Sequence, residues 1–459
     1  MLFVRRRRVY SRQLTYNPKQ DCTSGFAGPT VAAIPVRCDQ ESFVLPEAEA
    51  GVASGVLELQ VYATARGEVV DPAVEMSFAG FQDTQYFERG VRGTRFLNVS
   101  RLMAVTAFKG GKVQLRGRNL TWRGETARLH VSCEKISSED CVLVVAPHPD
   151  DAEIAAFGLY SDTNATVVTL TTGGKSMRYD GRGRSGIELP RAVVGRIRVW
   201  DSLTVPRLGN VEWGRAINLC FPDGRLQDMH SQPDRDFCVG DADQMDFVGL
   251  RRLNQSPFTN KDEVACTWRS LICDLSHIIK QTNPTIIVTP HPQLDPHPDH
   301  VFASAAVCEA IETVGLKEGR VFFYCAHNRR SELWPFGPQG SGVTLLPVLA
   351  EDGLCATGFY SHPLSEERQQ AKFLALEAMH DIRQIEGLGG QSLFVALRRV
   401  IDEFRGLVHG MGANPTDYLR RAVRPDELFF VTSLAGAKTL TDRAVADFKP
   451  IWLGEAAQP

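Results

Sequence analysis

Up to about Lys135 the chain alternates apolar and polar positions over short runs, such as Gly55-Val56-Leu57-Glu58-Leu59-Gln60-Val61-Tyr62 and Lys112-Val113-Gln114-Leu115-Arg116-Gly117. Period-two alternation punctuated by Gly, Asn, Asp and Pro predicts half-buried strands, and their spacing predicts an all-β, β-sandwich-like domain over residues 1–137. From about Cys141 the pattern changes. Residues 141–146, 166–172, 285–289 and 320–325 are nearly continuous apolar runs, as expected of strands buried on both faces. Between and after them lie stretches of helical period: 152–160, 189–203, 263–281, 301–314 and 369–383. In 263–281 the residues Val264, Trp268, Leu271, Ile272, Leu275 and Ile279 fall on one helical face. Strand–helix alternation of this kind predicts a mostly parallel sheet with helices on both faces, in a second domain over residues 138–459. Residues 225–261 are polar with weak periodicity and read as an excursion that rims or covers a cleft.

A chain of 459 residues suits two or three domains, and a 43% hydrophobic content is ample for their cores. The net charge of −3 supplies no global field to draw nucleic acid or an anionic membrane. Arg5-Arg6-Arg7-Arg8 is the local exception and reads as a solvated arm. The residues after it, Val9-Tyr10-Ser11-Arg12-Gln13-Leu14, are too polar for a secretory signal, and no run is long enough to span a membrane. Eleven cysteines without a C-x-x-C spacing predict reduced thiols in a cytoplasmic protein rather than a disulfide framework.

Two motifs carry candidate chemistry. His148-Pro149-Asp150-Asp151 follows the apolar run 141–146, and Asp295-Pro296-His297-Pro298-Asp299-His300 follows the run 285–289. Ends of parallel strands are where open α/β sheets place their ligands. A helix cap explains an Asp at position 150 or 151, but not a histidine beside it at the end of a buried strand. A histidine and a carboxylate from the first motif and a histidine from the second can hold one Zn²⁺ and leave a coordination position for water. A further carboxylate there can act as general base, and a further histidine can stabilise an oxyanion or protonate a leaving amine.

The pair of motifs, with a long β/α interval between them, resembles the zinc-dependent N-acetylglucosaminyl deacetylases of the PIG-L and LmbE-like family over roughly residues 141–383. The resemblance implies a Rossmann-like fold and one Zn²⁺ held by His148, Asp151 and His300. It also implies Asp150 as general base and His297 as the histidine that stabilises the tetrahedral intermediate and helps the amine leave. Asp295 and Asp299 are placed to orient the histidines. Phe221-Pro222-Asp223-Gly224 resembles a family loop whose Asp contacts sugar hydroxyls, and Arg198-Val199-Trp200-Asp201 resembles a stretch whose Arg lies near substrate. The chain departs from typical members in its length, in its N-terminal β region and in Ala152-Glu153, where many members place Glu directly after the second Asp.

The expected activity is removal of an N-acetyl or other N-acyl group from an amino sugar or its conjugate, by attack of metal-bound water on the amide carbonyl. The rival expectation is a metal-containing glycan-binding protein without catalysis. Binding alone has no need of both Asp150 and His297. Gly181-Arg182-Gly183-Arg184-Ser185-Gly186 matches a dinucleotide-binding pattern but stands several residues beyond the strand end it would have to follow, and reads as a cationic loop near the site. His130, His291, His327, His362 and His380 read singly as structural or exposed residues.

Overall fold

The computed structural model describes residues 14–28, 30–47, 51–105, 109–174, 190–238, 245–259, 265–354, 357–382 and 418–448. Arg5–Arg8 and the glycine pattern at 181–186 lie outside these residues. The chain forms two compact units, and they interleave. The first takes Met1–Ile136, Asn328–Gln369 and Gln391–Val431; the second takes Ser137–His327, Gln370–Gly390 and Thr432–Pro459. One boundary of the units falls between Ile136 and Ser137. The chain leaves the second unit after His327 and re-enters it twice.

Eight of the first unit's described strands form two antiparallel sheets. β1 (Val31–Arg37), β8 (Leu120–Ser132), β3 (Ser54–Ala63) and β6 (Arg92–Asn98) form one sheet in the order β1-β8-β3-β6. β2 (Ser42–Leu45), β7 (Gly111–Arg118), β4 (Ala73–Phe78) and β5 (Phe81–Tyr86) form the other, in the order β2-β7-β4-β5. Alternation puts Leu57, Leu59, Val61, Leu97 and Leu129 from the first sheet and Phe43, Val74, Met76 and Val113 from the second into one buried cluster. His130, buried on β8, lies 2.8 Å from Glu58 Oε2.

The second unit carries five parallel strands: β9 (Cys141–Ala146), β10 (Asn164–Thr171), β11 (Ala216–Phe221), β12 (Ile286–Pro290) and β13 (Arg320–Tyr324), in the order β11-β10-β9-β12-β13. The order reverses between β9 and β12, and crevices at such reversals hold the ligands of open α/β sheets. The two motifs follow β9 and β12. A further pair, β14 (Gly358–Pro363) and β15 (Asp426–Ser433), is antiparallel.

Helices cover Asp151–Ser161, Arg191–Thr204, Trp268–Thr282, Pro298–Val314 and Glu366–Ala378, close to the stretches of helical period. The helix expected from residue 263 starts at Trp268 because the Thr267 hydroxyl accepts the Ser270 N–H and caps it there. The polar excursion contains two short helices, Leu226–Ser231 and Phe247–Arg251. A disulfide joins Cys238 to Cys266, 28 residues on, which corrects the expectation of reduced thiols at that pair. Folding brings the two together across a separation that spacing rules do not read. Among the described residues no helix is long and apolar enough to cross a membrane.

Candidate metal centre

The first motif occupies the turn between β9 and the helix Asp151–Ser161. Asp150 stands at the N-cap with φ 148° and ψ −28°, a region L residues rarely adopt. Such strain costs on the order of 1–3 kcal/mol and collects at functional sites. The Asp150 side chain makes no capping bond, so the cap does not account for it. Its Oδ1 lies 3.2 Å from Arg198 Nη2. Asp151 turns the other way, its Oδ2 accepting the His148 backbone N–H at 2.9 Å.

The second motif opens the helix Pro298–Val314. Pro298 suits the first helical position, where a missing N–H leaves no bond unmade. This sets His297 at the N-cap and His300 in the first turn, fully buried. Asp295 Oδ2 lies 2.8 Å from His300 Nδ1 and also accepts the backbone N–H groups of Ala326 at 3.2 Å and His327 at 3.0 Å. Burial opposes charge on Asp295, yet His300, then His327, hold its carboxyl at about 2. An ionised Asp295 only accepts, so Nδ1 of His300 carries a proton and Nε2 faces the first motif.

Three donor atoms meet there. His148 Nδ1 is 3.1 Å from Asp151 Oδ2, and His300 Nε2 is 3.3 Å from each of them. Tetrahedral zinc with bonds of about 2.0–2.2 Å places neighbouring ligands roughly 3.3–3.5 Å apart, so donor types and spacing both fit one ion. The opposite nitrogen of His148, Nε2, lies 3.2 Å from Asp299 Oδ2 and 3.4 Å from Asp223 Oδ1. Asp299 accepts the N–H groups of Gly224 at 2.7 Å and Leu226 at 3.1 Å, which ties the loop after β11 to His148. Burial works against a charged His148, but Asp151, Asp223 and Asp299 hold it well above its ordinary value. Burial likewise opposes charge on His300, and Asp151 and Asp295 raise it to about 10. Asp151 is drawn well below the usual carboxylate range by His300 and His148, against its burial. A divalent cation among these groups takes the place of their protons. Asp295→Asn is expected to weaken zinc binding roughly 10–100-fold, since it frees the His300 ring from its anchor. Competition with a chromophoric chelator measures this, and an unchanged affinity would mean that Asp295 does not orient the ligand.

Arg198, expected near substrate, is buried beside Asp150. Its guanidinium is buried and donates to Gly173 O at 2.8 Å and Pro149 O at 2.9 Å, and it pairs with Asp150 and, at 2.6 Å, with Asp381. Burial opposes its charge, while Asp381 and Asp150 raise its pKa. Gly173 has φ +66°, and a Cβ there would stand 2.4 Å from Arg198 Nη1, so only glycine leaves room for the guanidinium. Burial first, then the Asp381 charge, push Asp150 well above the usual carboxylate range, against the pull of Arg198. Asp223, expected at sugar hydroxyls, has its Oδ1 3.4 Å from His148 Nε2. His297 packs edge-on to His148 at 4.9 Å, and its buried Nδ1 has no hydrogen-bond partner among the described residues. Burial, then the charges of His300 and His148, push it down to about 3, which makes it a neutral imidazole.

Two residues at this site were given no functional role from sequence. His327 follows β13, at the same sheet end as both motifs, and that position was the available signal. Asp381 belongs to a segment some 180 residues from Arg198, for which local sequence carries no signal. It arrives with His380, whose Nδ1 lies 2.7 Å from Asp201 Oδ1, one turn along the helix from Arg198.

Fold and site together define an α/β protein with a group of His and Asp side chains that could hold a metal ion at a sheet switch point. Residues 143–311 match the family described as PIG-L: GlcNAc-PI de-N-acetylase, and the chain carries a domain of that family there. Among solved structures it is similar to the zinc inhibited form of teicoplanin deacetylase Orf2, at 14% identity and TM-score 0.30, over 64% of this chain and 98% of that one. It is also similar to GalB, the 4-carboxy-2-hydroxymuconate hydratase of Pseudomonas putida KT2440, at 14% identity and TM-score 0.32, over 64% and 95%. No curated protein matches the chain.

Proposed function

We propose that this protein is a zinc-dependent hydrolase that removes an N-acetyl or other N-acyl group from an amino sugar or its conjugate, on a Rossmann-like core. The observation that carries the reading is the triangle of His148, Asp151 and His300 with the Asp150 carboxyl beside it. Zinc bound there supplies Lewis acidity, which polarises an amide carbonyl and acidifies water. Asp150, with its raised proton affinity, takes the proton from the attacking water. His297 enters as a neutral imidazole, which suits it to donate an N–H to the developing oxyanion. The role expected of it as proton donor to the amine passes to Asp150, which holds the proton it has just taken. Asp299 and Asp295 keep the rings of His148 and His300 in place. Arg198 and Asp381 hold the strained turn that aims Asp150.

The test is acetate release from a panel of N-acetylated amino sugars and their conjugates, with zinc-loaded and chelated protein side by side. Release that requires zinc is expected. No release from any member, with zinc shown to be bound, would overturn the deacetylase reading.

A further inference from the structure

Asp150 does not hold itself in place: it stands at φ 148°, and its side chain makes no capping bond. A turn strained in this way persists only when its surroundings over-determine it. Arg198 supplies two of the constraints, an ion pair to the Asp150 carboxyl at 3.2 Å and a hydrogen bond to the neighbouring Pro149 carbonyl at 2.9 Å. An arginine has many rotamers, so its guanidinium aims a neighbour only when it is itself fixed from another side.

That fixing comes from far along the chain. The second unit is re-entered over Gln370–Gly390. Just past the helix Glu366–Ala378, two consecutive residues of this segment grip the helix Arg191–Thr204 at two points. Asp381 Oδ2 lies 2.6 Å from Arg198 Nη2. His380 donates its backbone N–H to Asp201 Oδ2 at 2.9 Å, and its ring Nδ1 lies 2.7 Å from Asp201 Oδ1. Arg198 and Asp201 stand three residues apart, on one side of the helix, and both are buried. His380 engages both oxygens of Asp201, from the outer edge of the cluster, where its side chain is 37% exposed.

We propose that His380 and Asp201 are positioning residues for Asp150. They latch residues 380–381 onto the helix, Asp381 then fixes Arg198, and Arg198 fixes Asp150. One ion pair between Asp381 and Arg198 leaves both side chains free to swing together. A second grip one helical turn away sets the depth and direction of the segment that carries Asp381. The latch joins a helix inside the family-matched stretch to a segment beyond residue 311, where that match ends. This rests on the reading of Asp150 as the base, which the experiment checks separately.

His380→Ala removes the ring and leaves every donor of the metal centre in place. It is expected to lower kcat for zinc-dependent acetate release by roughly 10–100-fold, since a misplacement of about 1 Å costs a factor of about 10². KM and zinc affinity should stay as they are. His380→Asn puts an amide N–H near the position of Nδ1 and should restore most of the loss. A merely structural histidine would not give that split. His277→Ala, at an exposed histidine, should change nothing. Amide hydrogen exchange reads the latch without turnover: His380→Ala should speed exchange at residues 150–154 and 198–202 and leave β12 and β13 as they were. An unchanged kcat, or a loss that tracks lost zinc and that asparagine does not repair, would overturn the latch. If the unmutated protein releases no acetate, the hydrolase reading fails by itself and exchange decides. Selective loss of protection at 150–154 then supports the latch, and protection that survives His380→Ala overturns it.

Discussion

Asp150→Asn is expected to lower turnover by roughly 10²–10⁴-fold, the range a positioned general base contributes, while zinc content stays unchanged. The substitution preserves shape. Asparagine tolerates positive φ better than most residues, so the turn after β9 should survive. Its carbonyl oxygen can still accept from Arg198, and the ligands His148, Asp151 and His300 are untouched. What is lost is the ability to take a proton. Acetate release measured beside zinc content on the same preparation separates the two effects. Retained turnover would remove Asp150 from the role of base, and lost zinc would show that it serves the metal instead.

Arg198→Met is expected to destabilise the protein by about 3–5 kcal/mol, the range for removing one partner from a buried ion pair. Arg198 stands between Asp150 and Asp381, and all three are at least nine-tenths buried. Without the guanidinium, two carboxylates face each other out of water, and the carbonyls of Gly173 and Pro149 lose their donor. Denaturant unfolding reads the loss. Asp381→Asn in the Arg198→Met background should recover part of it, because one of the two stranded charges is gone. A cost below about 1 kcal/mol would mean that water reaches the cluster and that Asp150 is aimed by other groups.

These predictions draw on two kinds of information. Secondary structure was legible because it is local: β9 and β12 are unbroken apolar runs, and the helix Trp268–Thr282 buries Leu271, Ile272, Leu275 and Ile279 on one face. The triangle was legible in outline because its donors lie in two four-residue motifs, each next to a strand end. Asp295 could be placed behind His300 because both stand within one short motif, whereas only folding brings Asp299 to His148 in the other motif.

The surroundings of Arg198 were not legible, because sequence shows a cation on a helix and not which way it faces. The buried faces of Gly173, Pro149 and Asp381 turn it into a support for Asp150. The disulfide at Cys238 and Cys266 and the interleaving of the units likewise depend on contacts between distant segments.

By itself, then, the sequence determined the strand and helix order of the second unit, the antiparallel strands of the first and the donor types at the candidate metal centre. Periodicity and motif spacing report what lies within one or two turns of chain. The tertiary structure alone decided that Asp381 and His327 join the site, and that Asp150 is held strained against Arg198. Those facts depend on which surfaces are buried together, and burial is settled by the whole fold.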